Sequence, residues 1–408
     1  MLIDLAPLRR YRDFRLLFLG QLVSFLGTMM TYVAIPYQVY ELTKSSWMVG
    51  MIGAVQLVPV LALGLIGGSF ADSLDRKRLL LVSEALMGIA AIVLMLNAGQ
   101  EKPSVLLIFV LAGIMQAVSA FHRPAMDALT QTLVKPSDFA SIGALGSLRY
   151  SAGSILGPAA GGVLMAWGGA QVTYAIDAGT FVFSFAMIAL MRTAAMSERR
   201  EEGHLSLIGE GLAYARKRPE LIGTYVVDII AMTFAFPVAL FPVMAQSWGG
   251  ASAAGVLFSA MSVGSLVMTL FSGWTAKVRR RGAAVVLAAM LWGVAIIGLG
   301  LSPNLETAVV FLALAGAADM VSGLFRGVIW NETIPNELRG RMAGVEMISY
   351  MSGPLLGNAR AGWMASSGSL SSSLMLGGIF CVVGVALCGV WLKGFWRYET
   401  PVAKLDSS

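Results

Sequence analysis

YSAGSILGPAAGG, residues 150–162, returns two hundred residues later as YMSGPLLGNARAG, residues 350–362. Tyr150, Gly153, Gly157 and Gly162 fall on Tyr350, Gly353, Gly357 and Gly362. A second offset sets Gly50, Gly68 and Asp72 on Gly255, Gly273 and Lys277, each in an apolar segment that ends in bases. Self-similarity over half a chain means two copies of one structural unit. Small residues at matched depth let helices approach closely, so the repeated glycines read as helix contacts.

The material between the glycines fixes what kind of helices these are. Of 408 residues, 57% are hydrophobic and only 13% charged, where a soluble domain carries roughly a quarter. The apolar residues form stretches of about 20, the length that crosses a ~30 Å hydrocarbon core as a helix. In lipid every backbone polar group must be satisfied internally, so such stretches are helices. Twelve are predicted, near 14–40, 46–71, 79–99, 104–131, 139–167, 171–191, 220–246, 252–276, 283–301, 305–331, 342–366 and 372–393. The expectation is an all-α polytopic membrane protein of twelve transmembrane helices in two six-helix repeats. The halves are 1–192 and 219–408, and the polar segment 193–218 between them is a cytoplasmic linker whose second part reads as an amphipathic surface helix.

Most of the 29 lysines and arginines fall in segments that an even span count places on one side. That side is cytoplasmic by the positive-inside rule, with both termini there. The net charge of +6 therefore reflects the lipid bilayer, not nucleic acid. The opening MLIDLAPLRRYRDFR is polar and leads into a full-length span, unlike a cleavable signal. Cys381 and Cys388, seven apart on one helix face, are too distant to bridge and read as packing residues. No P-loop, HExxH, Cys/His cluster or GxSxG elbow is present. ATP-driven transport through its own P-loop, a metal site, an organic cofactor and enzymatic catalysis are not expected.

Two motifs carry a resemblance. GGSFADSLDRKR, Gly67–Arg78, occupies the short inner loop between spans 2 and 3. Its bases alone are a positive-inside stop, but the glycine and two acids exceed that need. The pattern resembles the loop signature of the major facilitator superfamily: glycine, three residues, aspartate, then a basic pair. It departs at Ser73, where a base is usual, and at Asp75, where a second glycine is usual; the second-half counterpart has Lys277 for the acid. The resemblance implies that Gly68, Asp72, Asp75, Arg76 and Lys77 form an inner conformational latch. Glu346, beside Arg341 at the inner start of span 11, reads as a gate or cap residue. GSILGPAAGG is similar to the span 5 motif of antiporters in that superfamily, through Gly153, Gly157, Pro158, Gly161 and Gly162. A plain kinked, small-residue interface is the other reading. FRLLFLGQLVSFLG, SSWMVG, RPAMDALTQTL and IPNELRGRMAGVEMIS resemble the branch holding the enterobactin exporter and macrolide efflux proteins.

Ionisable residues inside spans are costly and are functional candidates by default. Asp228 in span 7 and Asp319 near the middle of span 10 lack a base within one turn. Desolvation disfavours a lone carboxylate, which makes both candidate proton carriers; an ion pair with an arginine of a neighbouring helix is the structural alternative, and Arg326, seven residues from Asp319 and able to share its helix face, is one such partner. Arg123 and Asp127 in span 4 stand at i and i+4 and are expected to pair. Arg123 otherwise faces the cavity and Arg149 contacts Asp127 or substrate; Asp127 is a further proton-coupling candidate and Arg326 a further cavity candidate. His122 is a switch or a packing residue. Asp177, at the outer start of span 6, is a coupling or structural acid by resemblance. Gln21, Ser24, Thr28 and Thr31 form one stripe in span 1. With Tyr32 and 24 methionines, they suggest an adaptable cavity lining or interhelical hydrogen bonds.

Together these features imply alternating-access export of a small amphipathic molecule, a siderophore or a drug, in exchange for protons. The expected setting is a bacterial inner membrane and the expected state a monomer. An importer or uniporter of the same fold, a lipid-moving protein and a non-transporting membrane protein remain open at this point.

Overall fold

The structure, a computed structural model, describes residues 4–63, 75–192, 211, 213–335 and 338–399, without the side chains at 339–341 and 343. Gly68, Asp72 and most of the expected linker helix lie outside the described residues. Helix dominates the rest; among the described residues the β features reduce to one isolated bridge, Arg280–Glu399.

Among the described residues, ten helices are long and apolar enough to cross a membrane. They are α1 Arg12–Thr43, α2 Ser46–Leu63, α3 Arg76–Ala98, α4 Val105–Thr132, the long helix Pro136–Ala189, α7 Pro219–Trp248, α8 Gly250–Leu270, α9 Arg281–Gly300, α10 Leu305–Thr333 and α12 Leu370–Trp391. Pro136–Ala189 holds two spans, α5 and α6, on either side of Gly169, whose φ of 68° and ψ of −169° break the helix. That φ suits glycine and few other residues. The remaining span, α11 at Arg339–Ser367, is 29 residues long but more polar. Splitting the long helix and adding α11 makes the set consistent with twelve.

Local chemistry sets the helix ends. Asp75 caps α3, its carboxylate accepting the backbone N–H of Lys77 at 2.9 Å and of Arg78 at 3.1 Å. Ser104 and Asn304 cap α4 and α10 in the same way. Ser369 and Ser372 form a reciprocal capping box at α12. Each such cap satisfies N–H groups that have no intrahelical partner. Proline 237 breaks α7, and a short 3-10 turn, Val238–Leu240, restarts it. Long apolar side chains remain on the outside, with Leu106 72% and Val390 63% exposed. A lipid solvent requires that arrangement, which in water would leave a large apolar surface uncovered.

The chain packs into two compact units. One comprises Met1–Lys44, Val58–Glu202 and Pro242–Ser259; the other comprises Ser45–Leu57, Gly203–Phe241 and Ala260–Ser408. In the first, the glycine face of α5 packs on α1: Gly153 meets the Phe25 ring, Gly157 meets Met29 and the Leu26 carbonyl, and Gly161 meets the Met30 backbone. The opposite side of α5 packs on α8, where a Cβ built on Gly162 would stand 2.7 Å from Gly255 Cα. In the second unit the pattern repeats. Gly353 and Gly357 of α11 lie against Met232 of α7, and a Cβ on Gly362 would stand 2.8 Å from Gly50 Cα of α2. Gly153, Gly157 and Gly162 therefore occupy contacts equivalent to those of Gly353, Gly357 and Gly362. Gly162 meets the partner of the repeat, Gly255, and Gly362 meets Gly50, so both offsets describe one symmetric pair of crossings.

Candidate functional site

In the second unit, α7 and α10 bring three charges together. Arg326 Nη1 stands 2.5 Å from Asp228 Oδ1, with the arginine side chain 9% and the aspartate 4% exposed. Arg326 Nη2 reaches Asp319 Oδ1 at 3.6 Å, and Asp319 is 39% exposed. Seven residues separate Asp319 from Arg326 on α10, two turns along one face. Asp228 Oδ2 and Arg326 Nε are buried without a hydrogen-bond partner. Two carboxylates facing one guanidinium carry one net negative charge when all three are ionised. The structural alternative set out from sequence, an ion pair through Arg326, is therefore the arrangement present, and it includes both acids.

In the first unit, Asp177 of α6 is fully buried. Thr31 of α1 donates to its Oδ2 at 2.5 Å, and Thr180 donates to its Oδ1 at 3.3 Å. Its hydrogen-bond partners among the described residues are hydroxyls rather than a base. Gly27 permits this packing, since a Cβ there would collide with Asp177 and Thr180.

The polar stripe of α1 faces inward within its own unit. Gln21 and Ser24 are 3% and 4% exposed, so both belong to interhelical packing rather than to a cavity lining. Gln21 Nε2 donates to Glu84 Oε1 at 2.6 Å and to Ser184 Oγ at 3.2 Å. Thr28 donates to the Ser24 carbonyl of its own helix at 2.9 Å. Tyr32 alone of the set is exposed, its ring edge-on to Phe258.

Arg123 and Asp127 share an exposed face of α4, yet the expected i,i+4 ion pair is not among the 4.0 Å pairs of the described residues. Asp127 instead feels Arg123, Arg149 and His122 as charges at a distance. Arg149 Nη1 lies 3.0 Å from Met126 Sδ. Asp127 and Arg149 line an open cleft of about 600 Å³ with Phe14, Phe18, Met126 and Phe139.

Of the latch residues, the described ones tie helix ends together inside the first unit. Lys77 Nζ donates to the Met191 carbonyl at 2.6 Å and to the Ala189 carbonyl at 3.4 Å, at the end of α6. Arg76 Nη1 reaches the Ala128 carbonyl near the end of α4 at 3.4 Å. Cations at helix C-termini satisfy carbonyls that lack partners and complement the helix dipole. Asp75 is the α3 cap. Glu346 of α11 lies near Tyr225 of α7.

Two groups escaped the sequence reading. Glu84 of α3, 1% exposed, accepts from Gln21 and lies 3.0 Å from His122 Nε2; its signal was an acid eight residues into an apolar span. Arg360 of α11 staples three helices, donating to the Thr233 carbonyl at 3.2 Å and the Ser373 carbonyl at 3.1 Å; it was visible as an intramembrane arginine without an assigned role.

A repeated bundle of membrane-crossing helices with ionisable groups buried inside its spans is the architecture of a membrane transporter. Solved structures share this fold across nearly the whole chain. A bacterial homolog of the human lysosomal transporter Spinster aligns with a TM-score of 0.75 at 14% identity, covering 96% of this chain and 99% of that one. The nucleoside transporter NupG aligns with a TM-score of 0.71 at 13% identity, covering 95% and 100%. The chain belongs to the transmembrane secretion effector family of the major facilitator superfamily, whose family model matches residues 3–393. It is 29% identical to the enterobactin exporter EntS of Shigella boydii serotype 18, over 100% of this chain and 99% of that protein. EntS of Escherichia coli O1:K1 is similar to the same degree and extent. The protein is thus an integral membrane transporter of small molecules, and its family and relatives are not enzymes.

Proposed function

We propose that this protein exports a small amphipathic molecule of the catecholate siderophore class across the bacterial inner membrane, in exchange for protons. The termini lie in the cytoplasm on this reading. The Asp228–Arg326–Asp319 triad carries the coupling half of the proposal. Its net charge of minus one is costly inside a span, and one added proton removes it. Asp319 is the acid positioned to take that proton, because it is partly exposed and lies 3.6 Å from the guanidinium. Asp228, buried and tightly paired, holds Arg326 in place through the cycle. Protonation of Asp319 frees half of the guanidinium, and that difference biases the conformational equilibrium only as far as the two states bind the proton differently. The cargo half is supported by full-length similarity to proteins named for enterobactin export, and by methionines that suit bulky amphipathic molecules.

Reconstitution of the purified protein into proteoliposomes tests this reading, with enterobactin and a cationic dye as probes under an imposed pH gradient. Gradient-driven movement of enterobactin ahead of the dye supports it. Dye preference makes the protein a drug exporter, and gradient-independent movement makes it a facilitator.

A further inference from the structure

We propose that Glu84 is a second proton-binding site, in the first repeat, with His122 linking it to the exposed face of α4. This inference rests on the proton-coupled reading above and adds a site that the triad does not contain.

The surroundings of Glu84 suit a carboxyl that exchanges a proton with His122. Glu84 is 1% exposed, and among the described residues no lysine or arginine pairs with it. Both of its hydrogen bonds converge on one oxygen: Gln21 Nε2 donates to Oε1 at 2.6 Å and His122 Nε2 lies 3.0 Å from it. The other oxygen, Oε2, is buried with no hydrogen-bond partner among the described residues. A fully ionised carboxylate left in this way would hold half its charge on an unsatisfied buried atom, which is expensive. A neutral carboxyl costs less to bury: Oε1 is then the hydroxyl, donating to His122 Nε2 and accepting from Gln21, and the unpaired Oε2 is an uncharged carbonyl oxygen.

The groups around it point the same way. Gln21 faces Glu84 from α1, His122 from α4, and Ser184 approaches from α6 through Gln21. Asp177 of α6, another buried acid, is engaged by the hydroxyls of Thr31 and Thr180. The bases of α3 itself are engaged elsewhere, Lys77 with the α6 carbonyls and Arg76 with the Ala128 carbonyl.

His122 supplies the route. Its side chain is 20% exposed, and it precedes the exposed Arg123 and lies five residues before Asp127. A proton arriving at Nδ1 allows the Nε2 proton to cross to Glu84. The N–H bond at Nε2 breaks, an O–H bond forms on the carboxylate, and the imidazole is left neutral in its other tautomer. Return of the proton reverses each bond.

Acid-minus-alkaline infrared difference spectra of the purified protein, beside gradient-driven enterobactin flux in proteoliposomes, test the site. We expect wild type to show a protonated-carboxyl component that Glu84→Gln removes and that Asp319→Asn and Asp177→Asn leave in place. We expect Glu84→Gln and His122→Gln each to lower gradient-driven flux by roughly tenfold or more, the scale of a lost proton-transfer group. Should Glu84→Gln fail to elute as folded protein, Glu84→Asp serves, and its band must move. An unchanged band in the Glu84 variant overturns the inference even where transport is proton-driven. Wild-type flux indifferent to the gradient overturns the proton-coupled reading instead, and the band still decides whether Glu84 binds a proton.

Discussion

Arg326 and Asp228 are joined at 2.5 Å between α10 and α7, each less than a tenth exposed. Neither charge has water to fall back on. Losing one partner of a buried ion pair leaves the other uncompensated, at about 3–5 kcal/mol. Arg326→Gln is therefore expected to lower the thermal unfolding temperature in detergent sharply. The double variant Asp228→Asn with Arg326→Gln, which removes both charges, should recover most of that loss. A double variant as unstable as the single one would show that the pair is not the source.

The glycine crossings give a second prediction. Valine at Gly162 or at Gly362 should abolish folded protein to a similar degree, since both positions face another glycine across a backbone contact. Gly143 and Gly146 of the same α5 helix have nothing within 4 Å of a built Cβ. Alanine there should be neutral or stabilising by up to about 1 kcal/mol, from helix propensity. Yield of monodisperse protein and its unfolding temperature read both.

Lys77 and Arg78 are adjacent bases with different work. Lys77 bonds the last carbonyls of α6, while Arg78, 85% exposed, reaches Asp75 at 3.6 Å as its ion-pair partner among the described residues. Lys77→Met should cost on the order of 1–2 kcal/mol through lost charged hydrogen bonds, and Arg78→Met no more than about 0.5 kcal/mol. Equal effects on unfolding would mean that only net positive charge matters at this boundary.

Asp177 separates packing from coupling. Asparagine still accepts the Thr31 hydroxyl through its carboxamide oxygen, so Asp177→Asn should fold, whereas Asp177→Leu strands both threonines and should not. A folded Asp177→Asn that retains gradient-driven flux assigns the residue to structure. One that loses it adds Asp177 to the proton path.

The spans and the repeat were legible in the sequence because both rest on strong local signals. Twenty apolar residues can only be a helix in lipid, and glycines such as Gly157 and Gly357 are placed where backbones touch. Capping serines and the break at Gly169 refined ends that hydropathy alone blurs. What a stripe faces was not legible. The spacing of Gln21, Ser24, Thr28 and Thr31 gives an angle on α1 but not the neighbour at that angle, which proved to be α3 and α6. The Arg326–Asp319 spacing was readable on one helix, while the Asp228 contact needed the fold to bring α7 against α10. Glu84 was obscured by the basic cluster just before it, although its depth in an apolar span was signal enough. Arg123 and Asp127 had the spacing to pair, but their exposed face gives little reward for closing the bridge.

The most direct test of the account compares wild type, Asp228→Asn and Asp319→Asn in proteoliposomes, measuring enterobactin efflux with and without an imposed pH gradient. Gradient-driven efflux is expected in wild type, with its loss in Asp319→Asn while the protein still folds, and a loss accompanied by lower stability in Asp228→Asn. Gradient-driven efflux that survives in Asp319→Asn would contradict the assignment of the proton to the triad, and the three charges would then be a structural clamp.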